Sequence, residues 1–578
     1  MHARVVTAVL LAVLVSWSAV ALAHSGDGVA TAVGPDQQAT GPRSAADTVV
    51  RAATGARPVL APPPNVVLVL LDDFSLDLLP TMRHARRMQR RGATYRNAFV
   101  VDSLCCVSRA SLLTGQYPHQ TGVLTNTANT PNPYGPIGGW EAYAAYGNEE
   151  RTVSRALQRR GYTTGFIGKF LNQYEARDGV VPPLVDGWDE FNVIFGSAYD
   201  GWGFQSSYVE DGRLRVRDHP APPADADDAT KDAAYVGAVT EQMALDFLDE
   251  HGDDEAPYFL EVASYSPHSR VGPEGAYPGD PVFPPAFRDR AGPGRGTGNC
   301  GLRSCPRLTE RDLVGFGDPQ DDNLPRYADG SRAPSWKGEA APLAAEHAAD
   351  SLRNRARMVA SVDRMLGRIL DAVDDDTYVV LTSDNGFHLG QHGLGRGKGT
   401  PYDSDVHVPL VVTGPGVVPG VRREVVSNID LAPTFEELAG ATSPRYRAGT
   451  SLVPTFADRD LDRRGVTFIE HTWAPSLGFD PDRSYSGGTI DRIPSYVAVR
   501  SRTGLLVRLD LDPSWEGEDV AWEFYDYRDA PFERTNTVAR ADKRAEVRFL
   551  KKRIRGFLDC RDVRGSEPVS ARCRRLTQ

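Results

Sequence analysis

At 578 residues the chain exceeds what one hydrophobic core usually organises, so two domains are expected. With 41% hydrophobic and 24% charged residues it has the composition of a globular protein rather than a disordered or fibrous one. A formal net charge of -11 excludes an overall basic footprint for nucleic acid, so an anionic substrate must be met by a local cationic pocket.

Arg4 leads an apolar run from Val5 to Val20, closed by Ala21-Leu22-Ala23. This predicts a cleaved signal peptide over 1–23 rather than an anchor, because the run is short and Ser16 and Ser18 interrupt it. No later segment is long and apolar enough to span a bilayer, so a secreted protein without stable membrane association is expected. Residues 24–63, rich in Ala, Gly, Pro and polar side chains without periodicity, read as a flexible leader.

Organised structure is expected from Val66. Asn65-Val-Val-Leu-Val-Leu-Leu71 reads as a buried strand ending in Asp72 and Asp73. Leu104-Cys105-Cys106-Val107-Ser108-Arg109 opens a helix with an unusual cysteine pair beside an arginine. Thr164–Ile167 and Tyr258–Ala263 read as further strands, the first leading to Lys169 and the second to His268. The Pro- and Gly-rich stretch 271–340 shows little periodicity and reads as an insertion pinned by Cys300 and Cys305. Val359, Val362, Met365, Leu366, Ile369, Leu370 and Val373 follow the 3.6-residue period of a helix. The strand Tyr378–Thr382 then leads to Asp384 and Asn385, and Lys398 lies in the Gly393–Gly399 run.

Apolar strands alternating with amphipathic helices predict an α/β fold, a large mostly parallel sheet sandwiched by helices, over 64–475. After about residue 480 the texture changes. Strands over 495–500, 505–509 and 522–526, then a charged helix over about 538–558, predict a smaller C-terminal α+β domain, 476–578. Two disulfides, Cys300 with Cys305 and Cys560 with Cys573, suit an oxidising compartment and leave Cys105 and Cys106 over.

In an open parallel sheet the carboxyl ends of the strands share one edge, where ligands bind. Asp72, Asp73, Asp384 and Asn385 would meet there and offer only oxygen ligands, which suits Ca²⁺ or Mg²⁺ and not zinc. Asp-Asp and Asp-Asn-Gly also favour turns. Two such pairs at strand ends of one sheet weigh towards a metal. Arg109, Lys169, His268 and Lys398 each have an ordinary reading as a surface or loop residue, and gain weight from lying beside these motifs.

Asn65–Asp73, Cys105-Cys-Val-Ser-Arg109-Ala-Ser-Leu-Leu-Thr-Gly115, Gly168-Lys169 and Ser383-Asp384-Asn385-Gly386 together resemble the type I sulfatases of the alkaline phosphatase superfamily. The match runs in family order from about 65 to 440, and Glu523–Glu533 resembles the family's C-terminal domain. The resemblance implies that Cys105 is converted to formylglycine by the formylglycine-generating enzyme. In the hydrated aldehyde one hydroxyl attacks sulfur, and the second later expels sulfate. It further implies Ca²⁺, rather than Mg²⁺, held by Asp72, Asp73, Cys105, Asp384 and Asn385. Arg109, Lys169 and Lys398 would spread positive charge over the reacting groups, and His268 would protonate the leaving alkoxide.

Val107 stands where the family motif has proline, two residues after the cysteine. Gly168-Lys-Phe-Leu-Asn-Gln-Tyr174 and Asp384-Asn-Gly-Phe-His-Leu-Gly390 are similar to N-acetylglucosamine-6-sulfatases, which implies a sulfated carbohydrate substrate. Leu171 occupies the place of an arylsulfatase histidine, with Asn172 as a partial replacement, and His388 reads equally as a substrate contact or as packing. Two alternatives stay open: a phosphodiesterase or phosphonate hydrolase of the same superfamily, and an unconverted, non-catalytic protein that binds sugar sulfates.

Overall fold

The computed structural model describes residues 63–127, 137–176, 180–319, 321–337, 343–474, 481–484, 492–512 and 517–577. The expected signal peptide and nearly all of the leader lie outside these residues. In chain order the strands are β1 (Val66–Leu71), β2 (Ala93–Phe99), β3 (Thr163–Gly168), β4 (Glu190–Phe195), β5 (Phe204–Glu210), β6 (Arg213–His219) and β7 (Tyr258–Ala263). Then follow β8 (Tyr378–Ser383), the short hairpin of β9 (His388–Leu389) and β10 (Arg396–Gly397), β11 (Leu410–Thr413) and β12 (Gly420–Ser427).

The main sheet runs β12-β2-β11-β8-β1-β7-β3-β4-β5-β6. Its centre, β8-β1-β7-β3-β4, is parallel as the apolar strands require. Its flanks are not. β11 is antiparallel to both β8 and β2, and β5 and β6 continue antiparallel at the other edge, so the sheet is mixed. Asp211 and Gly212 join β5 to β6 with φ of 50° and 68°, the left-handed pair that a two-residue hairpin favours.

Every side chain of β1 is buried, because the sheet is covered on both faces. Val66, Leu68 and Leu70 join one core with the helix α1 (Cys105–Thr114), while Val67, Val69 and Leu71 join the other. That second core is closed by α2 (Val236–His251) and α3 (Ala345–Ala372), the helix read from the Val359–Ile369 spacing. Among its described residues the insertion 271–340 forms short 3₁₀ turns and isolated bridges, and Arg353 of α3 ties it down through the carbonyls of Cys305 and Leu308 at 3.2 and 3.0 Å.

A second sheet, β13 (Val466–His471), β14 (Ser495–Ser501), β15 (Gly504–Asp510) and β16 (Val520–Asp526), is antiparallel throughout. It begins with β13, ahead of the expected start at 476. Its covering helix α4 (Arg544–Leu558) starts later than the expected 538, after a 3₁₀ turn at Ala541–Lys543, and packs Val547, Leu550, Ile554 and Phe557 on the sheet. Both sheets belong to one compact unit. Cys300–Cys305 and Cys560–Cys573 are disulfide-bonded, and Cys105 and Cys106 are buried thiols outside them. Among the described residues no helix is long and apolar enough to cross a membrane.

Candidate active site

Parallel register aligns Leu71 with Ser383, so Asp72 and Asp384 leave adjacent strands side by side. The chain then turns sharply at Asp73, whose φ of 60° is unusual for a residue with a side chain. Three contacts hold that turn. The Asp73 amide donates to Asp384 Oδ1 at 3.1 Å, Asn385 Nδ2 donates to Asp73 Oδ1 at 2.7 Å, and Arg355 donates to the Asp73 carbonyl.

α1 delivers Cys105 as its first residue, aiming the helix N-terminus and its partial positive charge at the carboxylates' edge of the sheet. One turn later Arg109 clamps Asp384 Oδ2 with Nε and Nη2, each at 2.8 Å, and donates from Nη1 to the Lys169 carbonyl at 2.5 Å. β3 ends at Gly168 with φ 107°, where a Cβ would lie 2.0 Å from the Ala263 carbonyl oxygen, so only glycine lets the chain turn there. Lys169 follows and reaches both oxygens of Asp72 at 2.8 and 2.7 Å. The β9–β10 hairpin places Lys398, whose Nζ is 2.6 Å from Asp73 Oδ1.

All nine residues singled out from the sequence, Asp72, Asp73, Cys105, Arg109, Lys169, His268, Asp384, Asn385 and Lys398, thus lie in one buried cluster. Two further groups complete it without having been singled out. Asn126 accepts the Cys106 amide at 3.1 Å and lies 3.6 Å from Cys105 Sγ; it sits in an unpatterned turn after the helix and carries no sequence signal. Asp482, from a single helical turn at Pro481–Ser484, reaches His268 Nε2 at 3.1 Å and Lys398 Nζ at 3.0 Å, and accepts from Asn126. Asn172 lies 3.7 Å from Cys105 Sγ. His388 instead packs, with Nδ1 3.0 Å from each Asp405 oxygen, and Asp405 also holds the Thr400 amide beside Lys398.

Burial pushes Asp72 up to about 6 against the pull of Lys169, with smaller help from the like charges of Asp384 and Asp73. Burial also pushes the Cys105 thiol well up, so as a plain cysteine it stays protonated and a poor nucleophile. Lys398 is held charged well above its usual range: burial opposes this, but Asp482 and Asp73 outweigh it. His268 is raised in the same way, with Asp73 and Asp72 overcoming burial. Its Nδ1 lies 2.7 Å from the Ser269 carbonyl, so Nδ1–H donates there and Nε2 is left to carry the mobile proton.

The donor set fits a hard cation. Oxygens of Asp72 and Asp384 and the sulfur of Cys105 lie within 4.8 Å of one another, as do donor atoms of Asp72, Asp73 and His268. Asp73 Oδ2 and Asn385 Oδ1 are buried without a hydrogen-bond partner, which is costly unless something else satisfies them. Outside this centre opens a cavity of about 310 Å³ lined by Asn172, Gln173, Tyr199, Asp200 and Pro481 among others. The Tyr199 ring packs 4.5 Å from the His268 ring and 5.0 Å from Lys169 Nζ.

Comparison with known proteins places the chain in a family. The chain is 29% identical over 405 residues to human N-acetylglucosamine-6-sulfatase, covering 68% of this chain and 64% of that protein. It is 29% identical over 419 residues to the extracellular sulfatase SULF-1 homolog of Drosophila melanogaster, covering 69% of this chain and 32% of that one. The chain therefore spans between about a third and two thirds of the length of these relatives. A solved structure of a protein with its substrate D-glucosamine-2-N,6-O-disulfate shares the fold, with a TM-score of 0.57, 20% identity, and coverage of 85% of this chain and 96% of that one. The family model described as Sulfatase matches residues 64–441, the span that carries all nine clustered residues, and the chain belongs to that family.

Proposed function

We propose that this protein is a secreted, calcium-dependent sulfate ester hydrolase acting on 6-O-sulfated glucosamine units. The observation that carries this reading is the meeting of Cys105 with three carboxylates, Asn385 and four cationic side chains in one buried cluster. Relatives named as N-acetylglucosamine-6-sulfatases support the substrate class, and a relative named as extracellular supports export. The domain reading is a signal peptide over 1–23, a leader over 24–63, a catalytic domain over 64–475 and a C-terminal domain over 476–578.

Asp72, Asp73, Asp384 and Asn385, with Cys105 in modified form, would hold the cation, which polarises the sulfate oxygens when bound. Cys105, oxidised to formylglycine by the formylglycine-generating enzyme, supplies the attacking hydroxyl that the protonated thiol cannot. Arg109 and Lys169 fix the carboxylates and spread positive charge beside the nucleophile. Lys398 neutralises the sulfuryl oxygens. His268 holds a proton at Nε2 for the departing sugar oxygen, with its ring fixed through Nδ1.

Sulfate release from 6-sulfated N-acetylglucosamine tests this, alongside mass spectrometry of the peptide that spans Cys105. Expected are a peptide lighter than the cysteine form, and release that is lost on chelation and in Cys105→Ala. Full activity in Cys105→Ala would defeat the reading. Equal rates on sulfate and phosphate esters of one leaving group would move it to a phosphodiester or phosphonate hydrolase.

A further inference from the structure

Asp482 occupies a position that the proposed reaction leaves unexplained. Its Oδ1 is 3.0 Å from Lys398 Nζ and 3.1 Å from His268 Nε2. Its Oδ2 takes the amide hydrogen of Asn126 and lies 4.0 Å from Cys105 Sγ. Lys398 and His268 are the donors assigned above to the sulfuryl and leaving-group oxygens. A carboxylate bridging them has the charge and the paired oxygens of an incoming sulfate.

The surroundings make the two anions exclusive. Cys105 and Asp482 are fully enclosed, Lys398 and His268 are each 1% exposed, and an incoming sulfuryl group needs the same Lys398 Nζ and His268 Nε2 that Asp482 already holds. Two negative groups in contact in so dry a site repel strongly. Pro481 lines the 310 Å³ cavity and Asp482 is the next residue of the same helical turn, so one short element carries both the cavity wall and the carboxylate.

We infer that Asp482 is a built-in competitor for the sulfuryl site and thereby a specificity-determining residue, admitting sulfate only when it arrives attached to a sugar. This rests on the sulfate-ester reading above. A free sulfate ion must displace a tethered carboxylate whose effective concentration is of millimolar order or more. A sulfated sugar gains cavity contacts, such as stacking on Tyr199, that offset the displacement. Inorganic sulfate, the reaction product, gains none and leaves.

Binding of inorganic sulfate to the purified full chain tests the inference without turnover, by calorimetry and by thermal stabilisation. Asp482→Asn keeps the volume and removes the charge. It should bind sulfate about tenfold tighter or more, and its KM for a small aryl sulfate should fall with kcat changed less. Equal, weaker or undetectable sulfate binding in Asp482→Asn overturns the inference. So does a KM that rises for the sulfated sugar alone, which would make Asp482 a sugar contact. Should Asp482→Asn fail to fold, a structure of the parent chain in sulfate decides. Sulfate on Lys398 with Asp482 displaced supports competition, and sulfate there with Asp482 still bound to both Lys398 and His268 overturns it. Tighter sulfate binding in the variant, with no ester hydrolysed by either protein, would keep the competitor and remove the hydrolase.

Discussion

Glu261 is an acid in the middle of β7, aligned with Leu68 of β1 and Phe166 of β3. Its Oε2 has no hydrogen-bond partner, and burial pushes its carboxyl up to about 7 while Arg109 pulls the other way. The folded chain therefore binds this proton more tightly than the unfolded chain, whose glutamate titrates near 4.5. The stability it contributes is full below pH 4.5 and is lost as pH rises through 7. Glu261→Gln should remove that dependence and stabilise the protein at pH 8 by about 3 kcal/mol, with little effect at pH 4. Thermal unfolding of both proteins at the two pH values checks it, and equal shifts at both would refute it. Arg109→Lys belongs beside it. A single ammonium cannot reproduce the hydrogen bond and close ion pair to Asp384 together with the bond to the Lys169 carbonyl, so sulfate release should fall by about a hundredfold.

Strand ends and the contacts between sheets set the next constraint. At Gly168 the left-handed turn and the 2.0 Å approach to the Ala263 carbonyl leave no room for a methyl group. Gly168→Ala should cost at least about 2 kcal/mol and weaken catalysis as well, because Lys169 is the next residue; unfolding curves and sulfate release measure both. Arg500 of β14 meets Asp403 of the main domain through two bonds of 2.8 Å and stacks 3.8 Å from the Tyr527 ring. Arg500→Ala should cost about 3 kcal/mol, and adding Asp403→Ala should cost less than the sum of the two single changes. The central strands were legible in the sequence because strands buried on both faces are apolar without interruption, and their terminal carboxylates stand out against that background. Direction was less legible. β11 is as apolar as the parallel strands at the sheet's centre, so burial alone cannot separate antiparallel from parallel, while β13, Val466-Thr-Phe-Ile-Glu-His471, escapes notice because polar residues break its apolar run. Asp482 was illegible for a different reason: Pro481-Asp-Arg-Ser484 has no periodicity, and its charge acquires meaning only from the distant Lys398 and His268 it meets.

Taken together, the protein gathers four carboxylates and four cationic groups at the rim of one sheet and leaves Asp73 Oδ2 and Asn385 Oδ1 without a hydrogen bond there, the first of them 3.5 Å from His268 Nε2. A cation that binds only the folded chain should raise the melting temperature, and the gain grows with the logarithm of its concentration above the dissociation constant. The gain is about 2.7 kcal/mol at a hundred times the dissociation constant. Titrating calcium and then adding a chelator should raise and restore the melting temperature, and Asp384→Ala should abolish the effect. The Cys560–Cys573 bridge closes a span of 13 residues at the far end of the chain, and its removal should cost about 3 kcal/mol. A last consequence follows from Cys105 lying wholly inside the fold. A catalyst as large as a protein has no route to that sulfur once the sheet has closed, so any enzymatic oxidation must overtake chain collapse during biosynthesis. Each molecule then keeps for its lifetime whichever side chain it carried at that moment, and a purified batch preserves the outcome of that race.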